Sequence, residues 1–182
     1  MNRPIHLILL GFFCWAGLAE AATGLSRGQL VQLERWFDKR IQTHSLDDPM
    51  DLLGTTRAVY LEGYGVVFTA EVNLVASAVV TPFRPAFTPE EVARLRQKKL
   101  ARLEDLKRLM LEMMVEAARR LNSLSPDERI VVAVSLFRYS WEDARGLPAQ
   151  LLLQAPRNVL LTQSGEPTDW AKLLAVVQMK EF

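Results

Sequence analysis

The sequence feature that most constrains the fold is a long helical pattern from Thr88 to Leu121. Thr88, Pro89 and Glu91 have the spacing of an N-cap, a proline in the first turn and a capping-box glutamate. No glycine or proline follows before Pro126, and the apolar residues of this stretch fall in one broad stripe at helical spacing. A helix with one apolar stripe needs a second layer to pack against. The rest of the chain must supply that layer.

The segments around this helix carry strand patterns. Arg57–Leu61 and Val66–Val75 are rich in β-branched and aromatic residues and are joined by a glycine-rich tip, which predicts an antiparallel hairpin. Ile130–Phe137 is apolar on both faces, which is typical of a central strand. Gln150–Gln154 predicts a further short strand. The C-terminal segment has features of both helix and strand, and we predict a strand from about Leu173.

A shorter amphipathic helix is predicted at the start of the globular part, capped by Ser26 and ending near Thr43. The predicted fold is therefore α+β in two layers. It has a mostly antiparallel sheet of about five strands, one long helix packed across it and an N-terminal helix.

Residues 1–22 have the pattern of a cleaved secretory signal. Arg3 precedes an apolar run, and Ala19 and Ala21 flank Glu20 in the small-x-small arrangement that signal peptidases cut. The apolar run is shorter than the roughly 20 residues that span a bilayer. We therefore expect an exported protein, periplasmic or extracellular, in which residues 23–182 form a single α+β domain.

Composition excludes several classes of function. The single cysteine, Cys14, lies in the leader, and His44 is the only histidine after it, so a zinc site is not predicted. The formal net charge of +1 provides no field for binding nucleic acid, which we do not expect as a partner. The sequence contains no nucleophile-elbow or phosphate-binding motif, and we predict neither a cofactor nor a metal.

The candidate ligand-binding residues are polar or aromatic positions on the predicted strands and loops. Tyr64 lies at the hairpin tip, while Glu71 and Asn73 alternate with apolar residues and are expected on the polar face of their strand. Trp141 belongs to the loop that follows the central strand. A secreted hydrolase is an alternative, in which Glu71 would pair with Glu142 or Asp143.

The first half of the long helix is basic, and this suggests a third function. Arg94, Lys98, Lys99 and Arg102 are candidate partner-binding residues, because a basic helix end can dock on an envelope protein or an anionic surface. The alternative is a solvated helix face braced by ion pairs one turn apart, such as Glu90 with Arg94. The sequence favours this second interpretation.

Gly63–Thr69, and the run from Ser135 through Trp141 to Pro148, resemble exported bacterial proteins of similar size to which no activity is assigned. The resemblance implies export and a single domain. Taken together, the sequence predicts a non-catalytic binding or envelope-associated protein.

Overall fold

The computed structural model describes residues 25–45, 47–76, 86–163 and 169–182. The predicted leader, residues 1–22, lies outside these ranges. The helices are α1 (Arg27–Thr43), α2 (Pro89–Arg120), α3 (Arg157–Gln163) and α4 (Trp170–Val176). The strands are β1 (Asp51–Leu52), β2 (Arg57–Leu61), β3 (Gly65–Asn73), β4 (Arg129–Leu136), β5 (Gln150–Pro156) and β6 (Gln178–Glu181).

The strands form one mixed sheet in the order β1-β3-β4-β5-β6, and β2 pairs with β3 on the same side as β1. Four of the five strand pairings are antiparallel, and β3 with β4 is parallel. The predicted α+β class and the long helix are confirmed. The sheet is mostly antiparallel, as predicted, but the parallel pair at its centre was not foreseen.

Helix α2 is the connection between the two parallel strands. It begins with the predicted capping box, in which Thr88 accepts a hydrogen bond from the Glu91 backbone N–H and Glu91 accepts one from the Thr88 N–H. Because β3 and β4 point the same way, the chain must return along the sheet between them. The N-terminal half of α2 therefore lies near the carboxyl ends of β3 and β4.

The core lies between one face of the sheet and the helices. Phe37 of α1 contacts Phe68 of β3 with ring centroids 4.7 Å apart, and α2 contributes a run of fully buried methionines. The inward-facing residues of β4 and β5 complete the same cluster, which includes Leu160 of α3 and Leu173 of α4. The described helices thus share one face of the sheet.

The C-terminal segment corrects one prediction. Residues 170–176 form a helix, with Asp169 accepting a hydrogen bond from the Lys172 N–H as N-cap, and the strand begins only at Gln178. Leu173 is fully buried on the side of this helix that faces the core, which is the arrangement of an amphipathic helix. Asp51–Leu52 forms the short strand β1, which was not predicted.

Side chains of α1 form hydrogen bonds with backbone groups at the outer edge of β2. The Ala58 N–H donates to Glu34 Oε1 at 2.8 Å, and Arg27 Nη1 donates to the Ala58 carbonyl at 3.0 Å. The Thr56 N–H donates to Asp38 Oδ1 at 2.8 Å. Three backbone groups that would otherwise bind another strand are therefore paired within the chain.

The glycine-rich tip between β2 and β3 joins the hairpin to the start of β4. Gly63 and Gly65 both have positive φ, at 73° and 134°, a conformation that glycine adopts without steric cost. The Arg129 N–H donates to the Tyr64 carbonyl at 2.8 Å. A Cβ on Gly65 would lie well inside contact distance of the Arg129 backbone, whereas a Cβ on Gly63 would meet nothing.

Gly65→Ala is expected to destabilise the protein more than Gly63→Ala. Both substitutions impose a side chain on a left-handed backbone, which costs roughly 1–2 kcal/mol. Only Gly65→Ala also forces β3 away from the first residue of β4, and we expect it to cost at least about 2 kcal/mol more. Urea unfolding of the two variants measures this difference. Equal losses would show that the close approach to Arg129 contributes nothing.

Candidate ligand-binding site

The candidate site lies where the carboxyl ends of β3 and β4 meet the N-terminal half of α2. In open, doubly wound α/β sheets, ligands bind just outside the carboxyl ends of the parallel strands, and this end of the β3–β4 pair is the corresponding position. At this end of the sheet, residues 137–149 form a loop without regular secondary structure. The Phe137 N–H donates to the Val72 carbonyl, and the Leu136 N–H donates to the Ala149 carbonyl, at 2.9 and 2.8 Å. These bonds fix both ends of the loop to the sheet.

A buried ion pair holds this loop against α2. Lys99 Nζ lies 2.5 Å from Glu142 Oε2, and the two side chains are only 2% and 3% exposed. Lys99 Nζ also donates to the Phe137 carbonyl at 3.4 Å. Burying two charges is costly unless each is paired and hydrogen-bonded, so this geometry ties the helix to the loop at one defined position.

A second set of charges lies at the surface of the same loop. Asp143 accepts hydrogen bonds from the Arg145 guanidinium, at 2.7 Å to Oδ2, and from the Arg145 backbone N–H. These bonds, with the nearby charge of Arg96, lower the pKa of Asp143 to about 2. Arg96 Nε also donates to the Arg145 carbonyl at 2.7 Å. The Asp143 carboxyl group is therefore ionised at neutral pH and holds the Arg145 side chain.

Four aromatic rings form a continuous row across the site. Phe137 and Tyr139 meet edge to face, with centroids 4.9 Å apart. Trp141 lies nearly parallel to Tyr139 at 5.8 Å and to Phe87 at 4.0 Å. Offset stacking of this kind stabilises by about 0.5–1.5 kcal/mol per pair beyond burial. The row connects the end of β4 to the segment that enters α2.

A cleft of about 460 Å³ opens beside the last ring of this row. Its walls are mainly apolar, and the Asp143–Arg145 pair forms its polar border. The lining residues are Phe87, Pro89, Val92, Ala93, Asp143 and Arg145. Such a cleft can receive an apolar group of a ligand while the charged border orients a polar end.

The structure separates the four predicted ligand-binding residues. Trp141 lies in the aromatic row, beside the cleft. Tyr64 is 43% exposed at the hairpin tip, where its hydroxyl donates to Gln154 Oε1 at 3.3 Å. Glu71 is exposed on the sheet face that lacks described helices. Asn73, expected beside Glu71 on the polar face, is only 4% exposed, and its Oδ1 has no hydrogen-bond partner among the described residues.

The basic stretch is mostly paired within the chain. Lys98 and Arg102 both contact Asp48, with distances to its Oδ2 of 2.9 and 2.7 Å. These hydrogen bonds lower the pKa of Asp48. Arg94 is exposed, but Lys99 is buried and cannot contact a partner. The prediction of a partner surface that includes Lys99 is therefore wrong, because Glu142 draws this lysine into the protein.

Sequence reasoning missed Phe87, Tyr139 and Arg145 as members of the site. A signal was present for part of it, because Phe137, Tyr139 and Trp141 alternate at every second position. In an extended segment, that spacing places three rings on one side of the backbone. The contribution of Phe87 has no local signal, since it arises from contact between distant segments.

The described residues carry neither a cluster of metal ligands nor a membrane-spanning helix. Among them, no group of three or more His, Cys, Asp or Glu side chains is placed to hold a metal ion. None of the described helices combines the length and apolar character needed to cross a membrane. Comparison with protein-family models, curated proteins and solved structures finds no match to this chain.

Removing one partner of the buried pair is expected to loosen the loop. Lys99→Met leaves Glu142 buried against an apolar side chain, which costs about 3–5 kcal/mol. The double substitution Lys99→Met with Glu142→Leu removes both charges and is expected to recover at least half of that loss. Urea unfolding followed by tryptophan fluorescence measures both effects.

Lys98→Met provides the matched control for this experiment. Its side chain is exposed and pairs with Asp48 at the surface, so its loss is expected to cost less than about 1 kcal/mol. A Lys99→Met variant that is as stable as Lys98→Met would contradict the role assigned to the pair. So would a double variant that is no more stable than Lys99→Met alone.

Proposed function

We propose that this chain is an exported, non-catalytic binding protein whose ligand site is the cleft beside Phe87. Export is supported by the pattern of residues 1–22, with a basic start, an apolar run and small residues at the cleavage position. Binding is supported by the cleft itself. It lies beside the loop that follows the carboxyl end of β4, a position that corresponds to the ligand crevice of doubly wound α/β sheets.

The observation that carries the proposal is the composition of the cleft wall. Phe87, Pro89, Val92 and Ala93 provide apolar surface, and Asp143 with Arg145 provides one polar border. The ligand class that fits is a small molecule or a protruding side chain with an apolar body and a polar end. An envelope component that presents such a group would be a natural partner for an exported protein.

The charged groups around the cleft favour binding over catalysis. A glycosidase needs one carboxyl group whose pKa is raised so that it can donate a proton. Arg145 instead lowers the pKa of Asp143 to about 2. Glu142 is buried against Lys99, and Glu71 is exposed on the face of the sheet opposite α2. These contacts do not favour the alternative of a hydrolase with paired carboxylates.

Binding can be tested with the fluorescent probe 8-anilinonaphthalene-1-sulfonate, which has an apolar body and an anionic end. We expect saturable binding to the intact protein. Val92→Glu places a negative charge on the cleft wall and is expected to weaken binding at least tenfold, which corresponds to about 1.4 kcal/mol. Glutamate is tolerated in the first turn of a helix, so α2 is expected to remain folded.

Val59→Glu is the matched control for the cleft. Val59 is exposed on the sheet face that lacks described helices. A glutamate there changes the net charge by the same amount as Val92→Glu without contacting the cleft. Probe binding to this variant is expected to equal that of the unsubstituted protein. Binding that survives Val92→Glu, or that falls equally in both variants, would reject the cleft as the site.

Export has a separate test. When the full chain is produced in a bacterium with a Sec pathway, we expect the mature protein outside the cytoplasm, beginning at about residue 23. Mass spectrometry of the intact protein and of its N-terminal peptide reads the cleavage position. Replacing Ala19 and Ala21 with bulky residues is expected to leave the leader attached. A full-length chain found only in the cytoplasm would reject export.

A further inference from the structure

The two edges of the sheet differ in how their backbone groups are satisfied. At the edge formed by β2, side chains of α1 pair with the Thr56 N–H and with both backbone groups of Ala58. At the opposite edge, β6 pairs with β5 on one side only. The described residues provide no side chain that plays the part of α1 there.

The unpaired groups of β6 can be identified from its register. Phe182 and Gln150 exchange two backbone hydrogen bonds, from N–H to carbonyl in each direction, at 3.0 and 3.2 Å. In an antiparallel pair such residues alternate with residues whose N–H and C=O point away from the partner. The backbone groups of Met179 and Glu181 therefore point outward. No described residue forms a hydrogen bond with these four groups.

A groove of about 320 Å³ lies beside this edge, between β6 and helices α2 and α4. Its lining is mainly apolar, with Leu111, Trp170, Leu174 and Met179, and it also includes the charged side chains of Glu104, Lys107 and Arg108. Leu174 is 46% exposed and adds apolar surface to the groove. On α2, Arg108 extends over the Trp170 ring at 5.7 Å and borders the groove.

Met179 belongs both to the β6 edge and to the groove, because its side chain lies on the helix side of the sheet. Met179 and Glu181 are directly opposite Leu153 and Leu151, which face the core, so both side chains are on the helix side of the sheet. Glu181 confirms this orientation by contacting Lys107 of α2 at 2.8 Å. A strand added beside β6 would place every second side chain over the groove.

We propose that the outer edge of β6 binds an extended segment of a partner protein as an additional strand. Backbone hydrogen bonds to Met179 and Glu181 hold the segment, and the groove receives one of its apolar side chains. Strand addition of this kind derives affinity from the main chain and specificity from pockets for alternate side chains. This proposal is independent of the cleft beside Phe87.

Lys180 specifies the chemistry of the partner. Its side chain is exposed on the sheet face that lacks described helices, and it forms no ion pair with a described residue. An aspartate or glutamate is therefore favoured at the partner position beside Lys180, because opposite charges on neighbouring strands attract. The segment that fits has an acidic residue between two apolar ones. A second copy paired antiparallel about Lys180 would instead bring two lysines together.

The probe for this site is a short, blocked peptide that alternates valine and glutamate. We expect it to bind the protein without its leader, residues 23–182. Binding is expected to shift the backbone amide resonances of Met179 and Glu181 in NMR spectra. The same peptide with methylated backbone nitrogens cannot donate hydrogen bonds and is expected not to bind. Equal binding of both peptides would overturn strand addition, because side-chain contacts alone would then account for binding.

Met179→Pro tests the edge from the side of the protein. Its N–H points away from β5, so a proline there removes an outward donor without breaking a bond of the sheet. We expect peptide affinity to fall at least tenfold with the β5–β6 pairing intact by NMR. Unchanged affinity would overturn the proposal. If the variant does not fold, the methylated peptide still decides the question on the unsubstituted protein.

Lys180→Glu tests the charge preference. Binding of the glutamate peptide is expected to fall severalfold, and a matched peptide with lysine in place of glutamate is expected to recover it. Affinities that do not respond to this exchange would overturn the chemistry assigned to the partner. Light scattering at the same concentrations tests self-association. A dimer whose formation Met179→Pro abolishes would assign the edge to a second copy and overturn the proposal.

Discussion

The parallel pairing of β3 and β4 is the constraint on which the rest of the structure depends. Neighbouring parallel strands cannot be joined by a tight turn, so a long crossover must carry the chain back along the sheet. At about 1.5 Å per residue, α2 is long enough to run beyond the strands it connects. Its first turns therefore project towards the carboxyl ends of those strands. The loop that follows β4 then packs against these turns.

The Lys99–Glu142 pair shows how that packing is made specific. An apolar contact between a loop and a helix tolerates sliding, whereas a buried lysine must meet its carboxylate in one geometry. The pair, the Asp143–Arg145 contact and the aromatic row all act on residues 137–149. A segment without regular secondary structure is thereby held in place, and it can form one wall of a cleft. The cost of desolvating the pair is offset by the attraction of the two charges and by the hydrogen bond from Lys99 to the Phe137 carbonyl.

The sequence predicted elements whose signals are local and missed features that depend on distant contacts. The N-cap of α1, the capping box of α2, their apolar stripes and the hairpin around Gly63 and Gly65 were predictable from neighbouring residues. The parallel pairing was not, because an apolar strand such as β4 does not specify which strand lies beside it. Lys99 was misassigned for the same reason. Its partner, Glu142, lies in a loop 43 residues further along the chain.

The contrast between the two edges of the sheet sets a limit on assembly. A sheet that exposes both edges can add copies of itself without end, and this is the origin of edge-to-edge aggregation. Among the described residues, α1 pairs with the Thr56 N–H and with both backbone groups of Ala58, so the edge at β2 offers fewer free backbone groups than the edge at β6. Head-to-tail growth between copies needs two complementary open edges. In the part of the chain that the structure describes, α1 pairs with groups at one edge and has no counterpart at the other, an asymmetry that favours the addition of one strand over open-ended growth.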